Sequence, residues 1–227
     1  MPRRIDWGLC LVTDRRLAGA RPLEEVVRAA IRGGVTVVEL REKERGAREF
    51  VALARRLREI LAPAGIPLII NDRVDVALAS GADGVHVGQS DMDPRDARGL
   101  LGPKAIVGLT VKSLEQAKQT EDLGVNYLGV GPIFPTQTKA DAGAEWGIEK
   151  LAGVRAATRR VLVAIGGIDS TNAASVIQAG ADGIAVVSAI CAARDPERAA
   201  AKLRGIVERA RGRLDFNGLV HHGRRLE

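Results

Sequence analysis

The sequence predicts an α/β chain closed as a single (β/α)8 barrel, and three observations carry the prediction. Short apolar runs alternate with amphipathic stretches from one end of the chain to the other. Hydrophobic residues make up 46% of the chain but aromatics only 3%, so the core is aliphatic, as buried parallel strands and their covering helices require. Glycines punctuate the helix ends: Gly33, Gly34, Gly65, Gly81, Gly124 and Gly180 each stand where a left-handed cap is wanted.

The first strand candidate is 8–13, an apolar run that ends in a polar turn before a helical period at 22–32. A β-branched run at 35–41 precedes a long amphipathic stretch at 47–61. Strands at 68–71 and 84–87 flank a helix at 73–80, and a helix at 94–101 follows. Strands at 106–110, 127–130 and 161–165 alternate with helices at 113–122 and 148–158. A helix at 170–179, a strand at 183–187 and a helix at 196–210 complete eight units. The cadence Ala-Gly-Ala-Asp-Gly and its relatives, ending at Gly84 and Gly183, marks helix end, cap and next strand. At 227 residues the chain suits one TIM barrel, with an open doubly wound sheet as the structural alternative. Residues 1–212 form the barrel domain in this reading. Residues 213–227 lose periodicity and are expected to be an irregular tail, where His221 and His222 are poor ligand candidates.

The net charge of +6 comes mostly from arginine, and Arg55, Arg56, Arg58 and Glu59 read as a solvated, charge-paired helix face. A nucleic-acid platform needs aromatics among its basic residues, and one Tyr, two Trp and three Phe do not supply it. Small phosphorylated molecules are the partners this balance suits. Cys10 and Cys191 show neither metal-ligand spacing nor a disulfide framework. The N-terminal residues carry no long apolar run, so neither signal peptide nor membrane span is expected, and a reducing cytoplasmic setting follows. The oligomeric state is left open.

In such a barrel the working site lies at the carboxyl ends of the strands. The second strand ends Glu39-Leu-Arg-Glu-Lys43, and alternation turns Glu39, Arg41 and Lys43 to one face and Leu40 to the other. Two cations at a strand end suit a polyphosphate. The third strand ends with Asn71 and Asp72, and the fourth leads through His86 to Asp91. Asp72 either caps the next helix or, with Asp91 on the neighbouring strand, shares a cation; magnesium is held by one or two carboxylates, water and phosphates. His86 alone reads as a satisfied buried imidazole. The fifth strand ends in the Thr110 hydroxyl. A long polar loop after the sixth places Thr136, Gln137, Thr138 and Lys139 between prolines and glycines, as a cover for an anion would need. Gly166 and Gly167 after the seventh strand, and Val187 and Ser188 after the eighth, match a recurring barrel phosphate site.

These residues together resemble the thiamine-phosphate synthase family, also called thiamine-phosphate pyrophosphorylase. The matching motifs are Glu39-Leu-Arg-Glu-Lys43, Ile70-Asn-Asp-Arg73, Asp83-Gly-Val-His-Val-Gly-Gln-Ser-Asp91, Gly129-Val-Gly-Pro-Ile-Phe-Pro-Thr-Gln-Thr-Lys139 and Ala164-Ile-Gly-Gly-Ile168. They occur in family order over about residues 8–210. The resemblance implies a transferase that joins hydroxymethylpyrimidine diphosphate to thiazole phosphate, or its carboxylated form, giving thiamine monophosphate and pyrophosphate through a carbocation. It implies that residues 39–43 (Glu39, Leu40, Arg41, Glu42, Lys43), Asn71, Thr110 and Lys139 contact the pyrimidine diphosphate. Of these, Arg41, Lys43, Thr110 and Lys139 would be catalytic. It implies Mg2+ on Asp72 and Asp91, and the thiazole phosphate on Thr136, Gln137, Thr138, Gly167, Val187 and Ser188. Glu39 stands where the family often has Gln, and Thr110 where it often has Ser. A thiazole tautomerase of the same barrel family is the alternative, and the paired carboxylates and intact 136–139 loop speak for the synthase.

Overall fold

The computed structural model describes residues 5–136, 138 and 144–222, and of residues 213–222 the backbone alone. Eight strands are described: β1 Leu9–Val12, β2 Val37–Leu40, β3 Leu68–Asn71, β4 Gly84–Val87, β5 Ile106–Val111, β6 Tyr127–Val130, β7 Val161–Ile165 and β8 Gly183–Val186. They pair in sequence order and β8 closes on β1, every pair parallel. The described helices are α1 Arg15–Ala18, α2 Leu23–Arg32, α3 Ala47–Leu61, α4 Val74–Ser80, α5 Pro94–Leu101, α6 Leu114–Lys118, α7 Gly147–Ala157, α8 Ala173–Gln178, α9 Ser188–Cys191 and α10 Pro196–His222, with a 3-10 turn at Ala62–Ala64. The expected closed (β/α)8 barrel is therefore the architecture. Among the described residues no helix is long and apolar enough to cross a membrane.

Each strand divides its side chains between two cores. Outward residues such as Leu11, Val38, Leu40, Ile70 and Val85 join the helices in one large aliphatic cluster. Inward residues form a smaller second cluster of Trp7, Cys10, Val12, Val37, Ile69, Ile106, Tyr127, Val163 and Ala185. The inner set holds the chain's one tyrosine and one of its two tryptophans. His86 faces Gly108 across β4 and β5, and Gly108 faces Tyr127 across β5 and β6. A Cβ on Gly108 would lie 2.2 Å from Tyr127 Cζ and 2.6 Å from His86 Nδ1. Two inward rings therefore occupy the space that one missing side chain leaves.

The barrel's amino-terminal rim is stapled by arginine. Arg98 donates to the Gly124 carbonyl at 2.8 Å and to Asn126 Oδ1 at 2.6 Å, and Arg160 to the Val125 carbonyl at 2.6 Å. Arg55 and Arg58 bond the Ala79 and Ser80 carbonyls at the end of α4, each at 2.8 Å, while Arg56 pairs with Glu24 of α2. The expected charge pairing along the α3 face gives way to bonds between neighbouring elements. A planar guanidinium reaches several carbonyls at once, so it satisfies helix ends that would otherwise lack partners.

Four local departures have physical causes. The helix expected at 113–122 ends at Lys118, where the Thr120 hydroxyl bonds the Ala117 carbonyl at 2.7 Å and competes with the next helical turn. The helix expected from 170 starts at Ala173, because Asp169 accepts from Thr171 N–H at 2.7 Å and holds a turn first. The short α1 arises from a cap, Asp14 accepting from Leu17 N–H at 3.0 Å. Residues 213–222, expected to be irregular, continue α10 to His222; no proline interrupts them and the helix is already nucleated.

Two predictions follow from the packing. Gly108→Ala lowers stability by about 1–3 kcal/mol because the new methyl meets two buried rings. Gly99→Ala, in α5 with open space at its Cβ, raises it by about 0.5–1 kcal/mol. Urea midpoints of both variants check the contrast. The second concerns the thiols. Both cysteines are buried, and burial pushes the Cys191 thiol up to about 11 and Cys10 well above its usual range. At pH 8 both remain thiols, so a chromogenic disulfide reagent finds neither in the native protein and both after denaturation.

Candidate active site

The carboxyl ends of the strands open into one cleft, exposed to solvent at its mouth. Glu39, Arg41, Asn71, His86, Thr110 and Lys112 line one side. Gly131, Pro132, Thr136, Thr138, Gly166, Gly167, Ile168, Val187 and Ser188 line the other. Trp7, Cys10, Val12, Tyr127, Val163 and Ala185 also line it, continuing the inner core of the barrel. The cleft is thus polar along its rim and apolar within, as sites for aromatic ligands with charged ends are.

Strand register explains the first wall. Glu39 pairs with Val12 and Ile69, Asn71 with His86, and Thr110 with Gly129, so inward residues of successive strands stand side by side. Arg41 follows β2, its backbone N–H on the Thr13 hydroxyl at 3.0 Å and its guanidinium 3.6 Å from Asp14. His86 is held at both ring nitrogens: Nδ1 lies 2.8 Å from the Tyr127 hydroxyl and Nε2 2.7 Å from the Thr110 hydroxyl. The expected satisfied imidazole is present, yet it lines the cleft as well. Burial, with Glu39 nearby, holds the Tyr127 phenol well above its usual pKa, so it stays protonated.

Asp72 does not cap α4. The N-cap there is Arg73, which makes no side-chain cap bond. Asp72 instead takes a left-handed backbone, φ 63°, the one non-glycine among the described residues with positive φ. Its carboxylate accepts from Asn71 Nδ2 at 2.9 Å and from Lys43 Nζ at 2.5 Å. Its backbone N–H bonds the His86 carbonyl at 2.8 Å, tying it to the end of β4. Asp91 lies just beyond that same strand, with Oδ2 on the Gly88 N–H at 2.7 Å. Both carboxylates therefore follow neighbouring strands at one rim. Among the described residues no group of three or more His, Cys, Asp or Glu could hold a metal ion. Magnesium completed by water and phosphate oxygens needs only one or two carboxylates, a number these two residues can supply.

The second wall depends on close backbone approach. Ile133 N–H bonds the Ile165 carbonyl at 2.9 Å, and Phe134 N–H the Gly166 carbonyl at 3.1 Å. Gly167 has φ 64°, and a Cβ there would lie 2.6 Å from the Pro135 carbonyl oxygen, so only glycine fits. The loop after β6 is in this way laid onto the end of β7. Ser188 opens α9, where the Ile190 and Cys191 N–H groups bond the Val187 carbonyl at 3.2 and 2.8 Å, so the Ser188 and Ala189 N–H groups precede the first helical bond.

Most of the expected site residues meet in this cleft, and five of the described ones do not line it. Leu40 is fully buried in the outer aliphatic core. Glu42 turns away to Arg15 at 3.0 Å and Arg45 at 3.5 Å. Asp72 and Asp91 stand at the rim outside the lining, as does Lys43 on its Asp72 partner. Gln137 and Lys139 lie outside the described residues. The sequence reading missed Tyr127, Cys10, Trp7 and Lys112 as lining residues. The signal for Tyr127 was available: period-two alternation puts it on the inward face with Gly129, opposite the small Gly108.

A family model described as thiamine monophosphate synthase matches residues 9–190. The chain is 56% identical over 200 residues to a thiamine-phosphate synthase of Albidiferax ferrireducens, covering 88% of this chain and 91% of that one. It is 50% identical to a thiamine-phosphate synthase of Moorella thermoacetica, covering 91% and 99%. The solved structure of a thiamine phosphate pyrophosphorylase from Pyrococcus furiosus superposes with a TM-score of 0.83 at 40% identity, covering 90% of this chain and 97% of that one. A 3-hexulose-6-phosphate synthase, 19% identical with a TM-score of 0.64, shares the fold alone. The chain belongs to the thiamine monophosphate synthase family, a family of transferases in thiamine biosynthesis.

Proposed function

We propose that the chain couples 4-amino-2-methyl-5-hydroxymethylpyrimidine diphosphate to 4-methyl-5-(2-phosphoethyl)thiazole, or to its carboxylated form with loss of CO2, and releases pyrophosphate. The observation that carries the reading is the two-walled cleft: cationic and hydroxyl groups on one side, backbone-rich glycine and serine turns on the other, apolar and aromatic residues between. A diphosphate suits the first wall and a monophosphate the second. The sequence relatives favour the synthase over the tautomerase.

In this reading the C–O bond to the diphosphate breaks first, and its electron pair leaves with pyrophosphate. The pyrimidine methylene becomes a cation that the aminopyrimidine ring stabilises, and the thiazole nitrogen then forms the C–N bond. The chain's residues supply no covalent nucleophile to this path. Arg41, Lys43, Asn71 and Thr110 bind and neutralise the departing oxygens, and Lys139 joins them by its place in the motif. Thr136, Thr138, Gly167, Val187 and Ser188, with Gln137 by motif, hold the thiazole phosphate so that its ring nitrogen faces the cation. Asp72 and Asp91 would hold magnesium, which when bound adds positive charge beside the leaving group. The apolar interior keeps water from the cation.

Mass analysis after mixing the protein, both phosphorylated rings and magnesium tests the reading directly. Thiamine monophosphate and pyrophosphate are expected in equal amounts; neither product, with isomerisation of thiazole carboxylate phosphate alone, favours the tautomerase. Asp91→Ala is expected to lower kcat by about 100-fold or more while circular dichroism stays unchanged. Undiminished turnover in that variant contradicts the assignment of the rim carboxylates.

A further inference from the structure

Resting on the reading above, we infer that Tyr127 is a positioning residue: through His86 it fixes the direction in which the Thr110 hydroxyl donates. Three groups from three successive strands form the line. The Tyr127 hydroxyl is 2.8 Å from His86 Nδ1, and His86 Nε2 is 2.7 Å from the Thr110 hydroxyl. Tyr127 and His86 are buried, at 4% and 8% exposure, so neither end of the imidazole exchanges partners freely with solvent.

A neutral imidazole carries one proton, and where it sits sets the polarity of the whole line. If Tyr127 O–H donates to Nδ1, the proton is on Nε2 and donates to Thr110 Oγ1. The Thr110 hydroxyl then has its own hydrogen to give, and it gives it into the cleft. If Nδ1 carries the proton, Thr110 must donate to Nε2 and presents only lone pairs to the cleft. An oxyanion leaving group is stabilised by the first arrangement and repelled by the second. Burial decides between them. The buried phenol's hydrogen needs an acceptor, and the bare Nδ1 stands 2.8 Å away to provide one.

The surroundings are built for this line. A Cβ on Gly108 would lie 2.3 Å from Tyr127 Cε1 and 2.6 Å from His86 Nδ1. A Cβ on Gly129 would lie 2.8 Å from His86 Cε1. Trp7 packs on Tyr127 with ring centroids 4.4 Å apart, fixing the phenol from the other side. The Thr110 carbonyl is held in turn by Gln89 Nε2 at 2.7 Å, so the residue at the end of the line is fixed by its backbone as well.

The test combines a tautomer measurement with kinetics on the full chain. Long-range 15N–1H correlation spectra of protein labelled in its three histidines report the His86 tautomer. Nε2–H is expected in the wild-type protein without substrate; Nδ1–H there overturns the inference, whatever any variant does. Tyr127→Phe is expected to shift His86 away from a single Nε2–H tautomer. It should lower kcat about tenfold, with KM for the thiazole phosphate within twofold of wild type. An unchanged kcat in a folded Tyr127→Phe protein also overturns it. The tautomer is read without turnover, so a failure of the coupling reaction is distinguishable from a failure of this line.

Discussion

The interior of a closed parallel sheet is a fixed volume, and how this chain divides it governs everything else. Eight strands that share one direction send all their carboxyl ends to one rim, and each strand gives only alternate residues to the inside. With aliphatic residues alone the interior would be a plug. Here Gly108 and Gly129 withhold side chains, and Tyr127 and His86 fill the room they leave. The polar groups that result sit beneath an open cleft. Packing and chemistry are one arrangement at this level of the barrel.

The two ends of the barrel divide the labour. At the amino-terminal rim, guanidinium groups of Arg98 and Arg160 close loops by bonding carbonyls. At the carboxyl rim, cations and carboxylates are paired in ways a ligand can rearrange: Lys43 rests on Asp72, and Arg41 stands 3.6 Å from Asp14. Pairs as exposed as Lys43 with Asp72 contribute little to stability, so exchanging one partner for a phosphate or a metal ion costs little. The left-handed backbone of Asp72 is consistent with that division, since it turns the carboxylate from helix capping toward the rim.

Much of this was legible in the sequence, and the reasons differ by element. The strands follow from apolar runs and the helix ends from glycines such as Gly65 and Gly81, both left-handed in the structure. Alternation along residues 39–41 separated Glu39 and Arg41 from Leu40, and the structure keeps that division. Glu42 was beyond the same rule, because it lies past the strand, where direction is set by Arg15 and Arg45 from elsewhere. The four-residue helices α1 and α9 are too short to leave a periodic signal. Alternation turns Tyr127 inward, but an aromatic in a strand reads as core, and only register shows that its hydroxyl meets His86.

The central claim is that one rim gathers the diphosphate groups and the paired carboxylates. Anomalous diffraction from crystals grown with pyrophosphate, manganese standing in for magnesium, tests it most directly. The account predicts one metal peak at the carboxylates of Asp72 and Asp91, with pyrophosphate oxygens turned to Arg41 and Thr110. Pyrophosphate seated on Gly167 and Ser188, or metal bound away from both aspartates, would contradict it.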